Sequence, residues 1–258
     1  MVSRANPVRE EKIDSLRVRV YGDRLAMGAA TGAEVAAKIK ALSDRNDRPV
    51  RMIFAAAPSQ EEVLATLAAD EEIDWSGIEV FHMDEYVGLS EEAPQSFGRF
   101  LRERLFDAVK PAEVHLLDGM ANVEAECERY TALLREAPID IVCLGIGENA
   151  HIAFNDPPVA DFEDPRLVKP VELGTMSRQQ QVNDGMFPSL DAVPTHALTL
   201  TVPALISGTH LFCAVPGATK HVALECTLRG EVSTECPASI LRRHSDCGLY
   251  ADEAAYSG

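Results

Sequence analysis

The sequence has no long apolar run and is short of positive charge. No apolar stretch approaches the ~18 residues of a membrane-spanning helix, so a membrane protein is disfavoured. Lys and Arg number 24 against 41 Asp and Glu, which gives a net charge of −17. Such an acidic surface repels phosphate backbones and anionic lipid, so we expect neither nucleic acid nor membrane as a partner. The first 14 residues, MVSRANPVREEKID, carry no hydrophobic signal segment, and we expect a cytoplasmic protein.

Paired cysteines are also lacking. Six cysteines are scattered along the chain, and none forms a C-x-x-C pair. This distribution indicates reduced thiols and argues against both a zinc site and a disulfide framework. The remaining composition, 46% apolar and 25% charged, is typical of globular proteins. Without a repeat, a low-complexity tract or a linker, the chain is predicted to form one domain over residues 1–258.

Short apolar segments alternate with amphipathic ones. We predict strands at 50–56, 78–82, 115–117, 139–144, 197–202, 211–215 and 248–250, and helices at 23–42, 59–69, 96–109, 123–135 and 220–229. The helix at 59–69 is expected to begin with a capping box, because Ser59 is followed three residues later by Glu62. Apolar strands that do not alternate suit a parallel sheet buried on both faces. The predicted fold is therefore α/β, a doubly wound and mostly parallel sheet flanked by helices, Rossmann-like.

Polar residues that follow the strands are the candidate functional residues, because ligands of open α/β sheets bind beyond the carboxyl ends of the strands. Asp84 and Glu85 come directly after strand 78–82. Two adjacent carboxylates there direct one side chain into the crevice and turn the other away, and a buried carboxylate can serve as a general base. The alternative is that Asp84 caps a turn and Glu85 is solvated.

The loop 144–158 is the second candidate segment. Its first part fits the loose dinucleotide pattern G-x-G-x-x-A, but the two prolines at its end prevent the long helix that this pattern should open. Glu148, His151 and Asp156 lie in the same loop and suit acid–base chemistry, because histidine changes charge near neutral pH and carboxylates can orient it. The alternative is a structural, hydrogen-bonded histidine.

The segment 215–220 reads as a strand end, a glycine turn and a helix start. Helix N-termini attract anions, and a lysine in the first turn is unfavourable unless it meets one. Lys220 is therefore a candidate phosphate ligand, with plain solvent exposure as the alternative. Ser59 is a weaker candidate of the same kind, because a helix N-cap already explains it.

Together these segments resemble the glucosamine-6-phosphate deaminase (isomerase) family, whose fold is shared with 6-phosphogluconolactonases. FHMDEYVGL at 81–89 is similar to the family's M-D-E-Y-x-G-L. GIGENAHIAFNDP at 145–157 is similar to its G-x-G-x-D-G-H-I-A-F-N-E-P, and PGATKHVALECTLRG at 216–230 to its G-x-x-K-A helix start. Their order and spacing agree over roughly residues 20–250.

The resemblance implies an enzyme that converts an aldose 2-amino-6-phosphate to a ketose 6-phosphate and ammonia, without a metal or a nucleotide cofactor. It implies that Asp84 moves a proton between C2 and C1, that His151 opens the pyranose ring and that Lys220 holds the 6-phosphate. Gly147 and Glu85 lie within the matched motifs and are further substrate-binding candidates. The expected partner is a small phosphorylated amino sugar, and a homo-oligomer is left open.

The sequence departs from the family's pattern beside the catalytic histidine. Asn149 stands where the family has Asp, and Asp156 where it has Glu. The carboxylates flanking His151 fall from two to one unless Glu148 substitutes. Asn149 can still accept a hydrogen bond from the imidazole, but it cannot stabilise the imidazolium by charge.

The predicted phosphate site departs as well. The family's [ST]-G-G-T-P loop is replaced by Ala56–Gln60, which has no glycine and contains Pro58, a residue without an N–H. Arg178 is the nearest candidate for the family's phosphate-binding arginine. Two alternatives stay open: a 6-phosphogluconolactonase, although the Ser-Leu-Phe-Pro type run usual after its histidine is missing, and a non-catalytic sugar-phosphate sensor.

Overall fold

The fold consists of one large sheet, one small sheet and the helices that cover them. The computed structural model describes residues 6–45 and 48–258, so the first five residues of the N-terminal segment considered above lie outside it. The strands are β1 (Arg9–Ile13), β2 (Leu16–Tyr21), β3 (Val50–Phe54), β4 (Ile78–His82), β5 (Asp84–Tyr86), β6 (Glu113–His115), β7 (Ile141–Leu144), β8 (Val168–Glu172), β9 (His196–Leu200), β10 (His210–Val215) and β11 (Cys247–Asp252). The α-helices are α1 (Arg24–Ser43), α2 (Glu61–Ala68), α3 (Phe97–Leu101), α4 (Asp107–Val109), α5 (Val123–Arg135), α6 (Thr175–Asn183), α7 (Val202–Ile206), α8 (His221–Arg229) and α9 (Glu253–Ser257).

The large sheet has eight strands in the order β1-β2-β11-β10-β7-β3-β4-β6. All neighbouring pairs are parallel except the β1–β2 hairpin at one edge. From β3 the chain moves outward through β4 and β6, and it then returns to the other side of β3 through β7, β10 and β11. The winding direction therefore reverses between β3 and β7, and a crevice opens beyond the carboxyl ends of strands at such a switch point.

Two apolar clusters cover the two faces of this sheet. On β7, Val142 and Leu144 belong to one cluster, whereas Ile141 and Cys143 belong to the other. Successive residues of a strand point to opposite faces, so each strand contributes to both clusters. Helices α5 and α8 pack into the first cluster and α1, α2 and α3 into the second. These contacts confirm the predicted single α/β domain with a doubly wound, mostly parallel sheet.

The small sheet is antiparallel and has the order β5-β9-β8. It begins almost where β4 ends, because Met83 alone separates His82 in the large sheet from Asp84 in the small one. The carbonyl of Met83 accepts a hydrogen bond from the Leu200 N–H at 2.8 Å, which ties this junction to β9. The chain thus passes from one sheet to the other at the carboxyl end of a central strand.

Several sequence predictions need correction. The predicted capping box at Ser59 is wrong: Pro58–Gln60 forms a 3-10 turn, α2 starts at Glu61, and its N-cap residue Gln60 makes no side-chain capping bond. The segment between 157 and 197, for which no strand or helix was predicted, contains β8 and α6, and the β1–β2 hairpin was not predicted either. In the part of the chain that the structure describes, no helix combines the length and apolar character needed to cross a membrane.

Candidate active site

A cleft of about 210 Å³ lies at the switch point between β3 and β7. The loops that follow β3, β4, β7 and β10 all contribute side chains to it, and α6 closes one side. The volume is below the ~300–1,000 Å³ of pockets for drug-sized ligands, which favours a small molecule.

The loops after β3 and β7 pack against each other through a glycine. A Cβ on Gly145 would lie 2.9 Å from the Ser59 hydroxyl and 3.3 Å from the Ala214 carbonyl, so a side chain here would push the Ser59 hydroxyl aside. Gln60 joins the two loops, because its amide donates to the Leu144 carbonyl at 3.1 Å and to the Ser59 hydroxyl at 3.2 Å. This contact brings Ser59 to the wall of the cleft. Ser59, the weaker of the two predicted phosphate ligands, therefore lies in the cleft, although it does not cap a helix.

Asp84 and Glu85 point in different directions, as expected for neighbours in a strand. Asp84 lines the cleft and is only 8% exposed. Burial, with the negative charge of Glu85 adding to it, raises the pKa of Asp84 to about 8. Such a carboxyl group exchanges a proton near neutral pH, which suits acid–base catalysis.

Glu85 does not line the cleft, contrary to its prediction as a substrate-binding residue. Its carboxylate is buried and accepts hydrogen bonds from the Ser96 hydroxyl at 2.7 Å and from the Gly98 N–H at 3.0 Å. Burial opposes ionisation of this carboxyl, but contacts with His82, Gly98 and Ser96 outweigh burial and lower its pKa. Glu85 therefore fixes the start of α3 beneath the cleft, and the alternative of a solvated Glu85 is also wrong.

The turn before His151 places its ring against Gly147. The Gly147 N–H donates to the His151 carbonyl at 2.9 Å, and the Ala150 N–H donates to the Gly147 carbonyl at 3.0 Å. A Cβ on Gly147 would lie only 2.2 Å from Cε1 and 2.3 Å from each ring nitrogen of His151. The missing side chain therefore makes room for the imidazole.

One edge of the His151 ring is fixed by polar neighbours behind the cleft. Nδ1 lies 2.7 Å from Oδ1 of Asn149 and 3.2 Å from Oδ1 of Asp156. The Asn149 amide also donates to Asp156 at 2.7 Å, so its oxygen must face the ring and Nδ1 must carry the proton. Nε2 is then the nitrogen without a proton in the neutral ring, available to exchange one with a ligand.

Asp156 carries the negative charge behind the ring. Burial opposes its ionisation, but the His151 ring, the Asn149 amide and the Ser177 hydroxyl outweigh burial and hold the pKa of Asp156 well below its usual range. The structure does not bring in Glu148 as a second carboxylate, because no hydrogen bond or ion pair joins it to His151. Its backbone N–H instead donates to Gln180 at 2.9 Å.

Helix α6 supplies side chains that the sequence analysis missed. Ser177, Gln180 and Gln181 are buried, and Gln180, Gln181 and Asp184 line the cleft. Residues 177, 180, 181 and 184 follow the i, i+3, i+4, i+7 spacing of one helix face, which was the signal in the sequence.

Arg178 lies outside the cleft, contrary to its prediction as a phosphate ligand. Its guanidinium donates to the carbonyls of Leu190 at 2.7 Å and Val193 at 3.1 Å. Arg178 precedes Gln180 by two positions and therefore occupies another face of α6. It stabilises the segment that leads into β9.

Lys220 lines the cleft from the turn after β10. Gly217 makes this turn possible, because its φ of 91° lies in a region open to glycine. Burial lowers the pKa of Lys220, while the charges of Asp184 and Glu148 oppose this shift. The ammonium of Lys220 is thus partly desolvated and lies near two acidic side chains, so a bound anion would strongly change its pKa.

Of the predicted residues, five line the cleft: Ser59, Asp84, Gly147, His151 and Lys220. Asn149 and Asp156 lie behind the histidine ring, whereas Glu85, Glu148 and Arg178 lie outside the cleft lining. Arg24 also lines the cleft and was not predicted.

A doubly wound sheet with a buried carboxyl, an oriented imidazole and a lysine at its switch point is the architecture of an α/β enzyme, and these groups suit acid–base chemistry. The model of the family described as glucosamine-6-phosphate isomerases/6-phosphogluconolactonase matches residues 22–249. The chain belongs to this family and is an enzyme of this class.

Individual relatives agree with that assignment. The chain is 37% identical over 186 residues to glucosamine-6-phosphate deaminase of Bacillus cereus strain G9842, covering 72% of this chain and 69% of the relative. The corresponding protein of Bacillus cytotoxicus is 35% identical over the same shares.

Solved structures show the same fold. A monomeric glucosamine-6-phosphate deaminase superposes with a TM-score of 0.84 at 28% identity, covering 93% of this chain and 98% of that one. A 6-phosphogluconolactonase from Thermotoga maritima gives 0.75 at 21% identity over 92% and 100% of the two chains. The second likeness establishes a shared fold only.

Proposed function

We propose that the protein is an amino-sugar-phosphate deaminase/isomerase, which converts glucosamine 6-phosphate or its epimer, with water, to the ketose 6-phosphate and ammonia. The observation that carries this proposal is the placement of Asp84 and His151 in one cleft with Lys220. The curated relatives named glucosamine-6-phosphate deaminase support the choice of substrate class.

In the proposed reaction His151 acts first, on the closed sugar ring. Nε2 takes the proton from the O1 hydroxyl and returns a proton to the ring oxygen, which opens the pyranose to the aldehyde. The hydrogen bond from Nδ1 to Asn149 keeps this tautomer in place. Asp156, held ionised close to the ring, stabilises the imidazolium that forms between the two transfers.

Asp84 then moves the proton between carbons. Its carboxylate removes the proton from C2 and delivers it to C1, while a second proton passes from the amino nitrogen to O1, which together turn the 2-amino aldehyde into a 2-imino alcohol. Water adds to the imine carbon and ammonia leaves, which gives the ketose. Burial of Asp84 supports this role, because a carboxylate of raised pKa is a stronger base than one in water.

Lys220 is proposed to hold the 6-phosphate, and Ser59 to donate from the neighbouring loop. The aromatic side chains of Phe97 and Phe154 line the same cleft and give part of its wall an apolar surface. We place the reaction in the cytoplasm, since all six cysteines are free and five of them are buried.

The test is ammonia release coupled to fructose 6-phosphate formation, with purified protein and glucosamine 6-phosphate. Galactosamine 6-phosphate and 6-phosphogluconolactone run in parallel, and the Asp84→Asn variant is the control. We expect ammonia from one amino sugar and none from the variant. Hydrolysis of the lactone alone would replace the proposal by a lactonase, and thermal stabilisation by a sugar phosphate without turnover would indicate a sensor.

A further inference from the structure

A guanidinium enters the cleft from the first turn of α1. Arg24 lines the cleft beside Pro58 and Ser59, and its side chain is 38% exposed. We propose that Arg24 is a ligand of the substrate's phosphate group and that Glu62 and Gly28 hold it in position. This inference rests on the proposed function, because it names a phosphate contact in the same cleft.

The protein fixes Arg24 through two of its three nitrogens. Nε donates to the Glu62 carboxylate at 2.6 Å, and Nη2 donates to the carbonyl of Pro58. Nη1 has no hydrogen-bond acceptor within residues 6–45 and 48–258. A guanidinium is planar and permanently charged, so fixing two nitrogens orients the third. The two N–H groups of Nη1 are then ready to donate to an anion with little further loss of side-chain entropy.

The close packing of α1 on α2 is what brings Glu62 to Arg24. A Cβ on Gly28 would lie 2.1 Å from the Cβ of Glu62, and a Cβ on Gly32 would lie 2.5 Å from that of Thr66. Residues 24, 28 and 32 succeed each other at i, i+4 spacing, so they lie on one face of α1. Two glycines on this face therefore let α2 approach closely enough for Glu62 to hold the guanidinium.

Two backbone positions at this end of the cleft offer an anion no available N–H group. Pro58 has no N–H. The Gly217 N–H is already bonded to both carboxylate oxygens of Asp252, at 2.9 and 3.1 Å. Arg24 and Lys220 line the cleft with basic side chains, and Asp84 and Asp184 line it with carboxyl groups. Glu62 pairs with Nε of Arg24, so the guanidinium offers a phosphate the charged N–H groups of Nη1, beside the ammonium of Lys220.

The test compares Arg24→Gln and Arg24→Lys with Arg229→Gln. Arg229 is a matched control, because it is also an exposed arginine in an ion pair, with Glu11, and lies outside the cleft. Binding of inorganic phosphate, glucosamine 6-phosphate and glucosamine is measured by calorimetry, together with KM and kcat. We expect Arg24→Gln to weaken binding of both phosphate compounds at least about tenfold, as loss of a charged hydrogen bond should, and glucosamine binding to stay unchanged. The affinity of Arg24→Lys for the two phosphate compounds should lie between those of Arg24→Gln and the unaltered protein. The affinity of Arg229→Gln should match that of the unaltered protein.

Equal weakening in Arg24→Gln and Arg229→Gln would overturn the inference, as would equal weakening for glucosamine and its phosphate. Circular dichroism and the melting temperature show whether each variant is folded. If the unaltered protein binds glucosamine 6-phosphate without turnover, the proposed function fails, while the dependence of binding on Arg24 still decides the inference. If the unaltered protein binds no phosphate compound, the inference is wrong.

Discussion

Replacing Asp84 by Asn removes a carboxyl group that the folded chain keeps almost out of contact with water. The side chain is 8% exposed, and burial raises its pKa from 3.8 to about 8. Because the folded-state pKa lies above the unfolded value, the folded protein binds this proton more tightly than the unfolded chain does. The free energy of unfolding therefore falls as the pH rises from about 4, where the unfolded chain begins to lose the proton, to about 8, where the folded protein loses it too.

The size of this effect follows from the shift. One pKa unit corresponds to about 1.4 kcal/mol, so this difference in pKa lowers the free energy of unfolding by up to about 6 kcal/mol above pH 8. Near pH 6, where the folded protein keeps the proton and the unfolded chain has lost it, the loss is about 3 kcal/mol. Asn has nearly the same shape and no charge to bury. We expect Asp84→Asn to be more stable than the unaltered protein, by an amount that grows with pH and then levels off.

Urea denaturation at pH 5, 6, 7 and 8.5 measures this difference, and Trp75, the single tryptophan and a buried one, reports unfolding. Asp191→Asn removes an exposed carboxylate and is the control. We expect its free energy of unfolding to differ from that of the unaltered protein by an amount that does not grow with pH. Asp84→Asn should also lack turnover, whereas kcat/KM of the unaltered enzyme should rise with pH toward 8, as the base becomes ionised. A stability difference that does not change with pH would refute the reasoning.

Three further substitutions test other parts of the cleft. Gly147→Ala places a Cβ within 2.3 Å of the His151 ring nitrogens, so the imidazole must move. We expect kcat to fall about 100-fold while the circular dichroism spectrum stays unchanged, and an unchanged kcat would contradict the contact. Asn149→Asp adds a second carboxylate beside His151, and turnover of glucosamine 6-phosphate should rise; a lower rate would mean that the asparagine is required. Lys220→Met keeps an apolar side chain in the cleft but removes its charge. The KM for glucosamine 6-phosphate should rise at least about tenfold, whereas the KM for glucosamine should not rise. An equal rise in KM for both compounds would exclude a phosphate contact.

The central strands and the loops that follow them could be predicted from the sequence. β3, β4, β7 and β10 are short apolar runs buried on both faces, and such runs are strong signals of a parallel sheet. Asp84, His151 and Lys220 follow three of these strands, so sheet topology alone places them at one edge.

The parts that could not be predicted lack an apolar signal. β5 is the three-residue segment DEY, too short and too polar to indicate a strand. α6 is rich in glutamine, and its inward face is polar because it lines a cleft instead of a core. The alanine-rich pattern of α1 predicts the helix, but it does not reveal that Arg24 at its start reaches the cleft. Arg178 was chosen as the nearest candidate for the family's phosphate-binding arginine, and the sequence did not reveal that Gln180 and Gln181 line the cleft instead.

The passage of the chain between sheets at Met83 gives the two halves of the cleft separate supports. Asp84 is the first residue of the small sheet, whereas His151 and Lys220 follow strands of the large one. A small displacement of β9 and β8 relative to the large sheet would therefore change the distance between the carboxylate and the imidazole without altering either side chain. Substitutions on the far side of the small sheet can in this way adjust the rate of proton transfer during evolution, while the residues that touch the sugar stay the same.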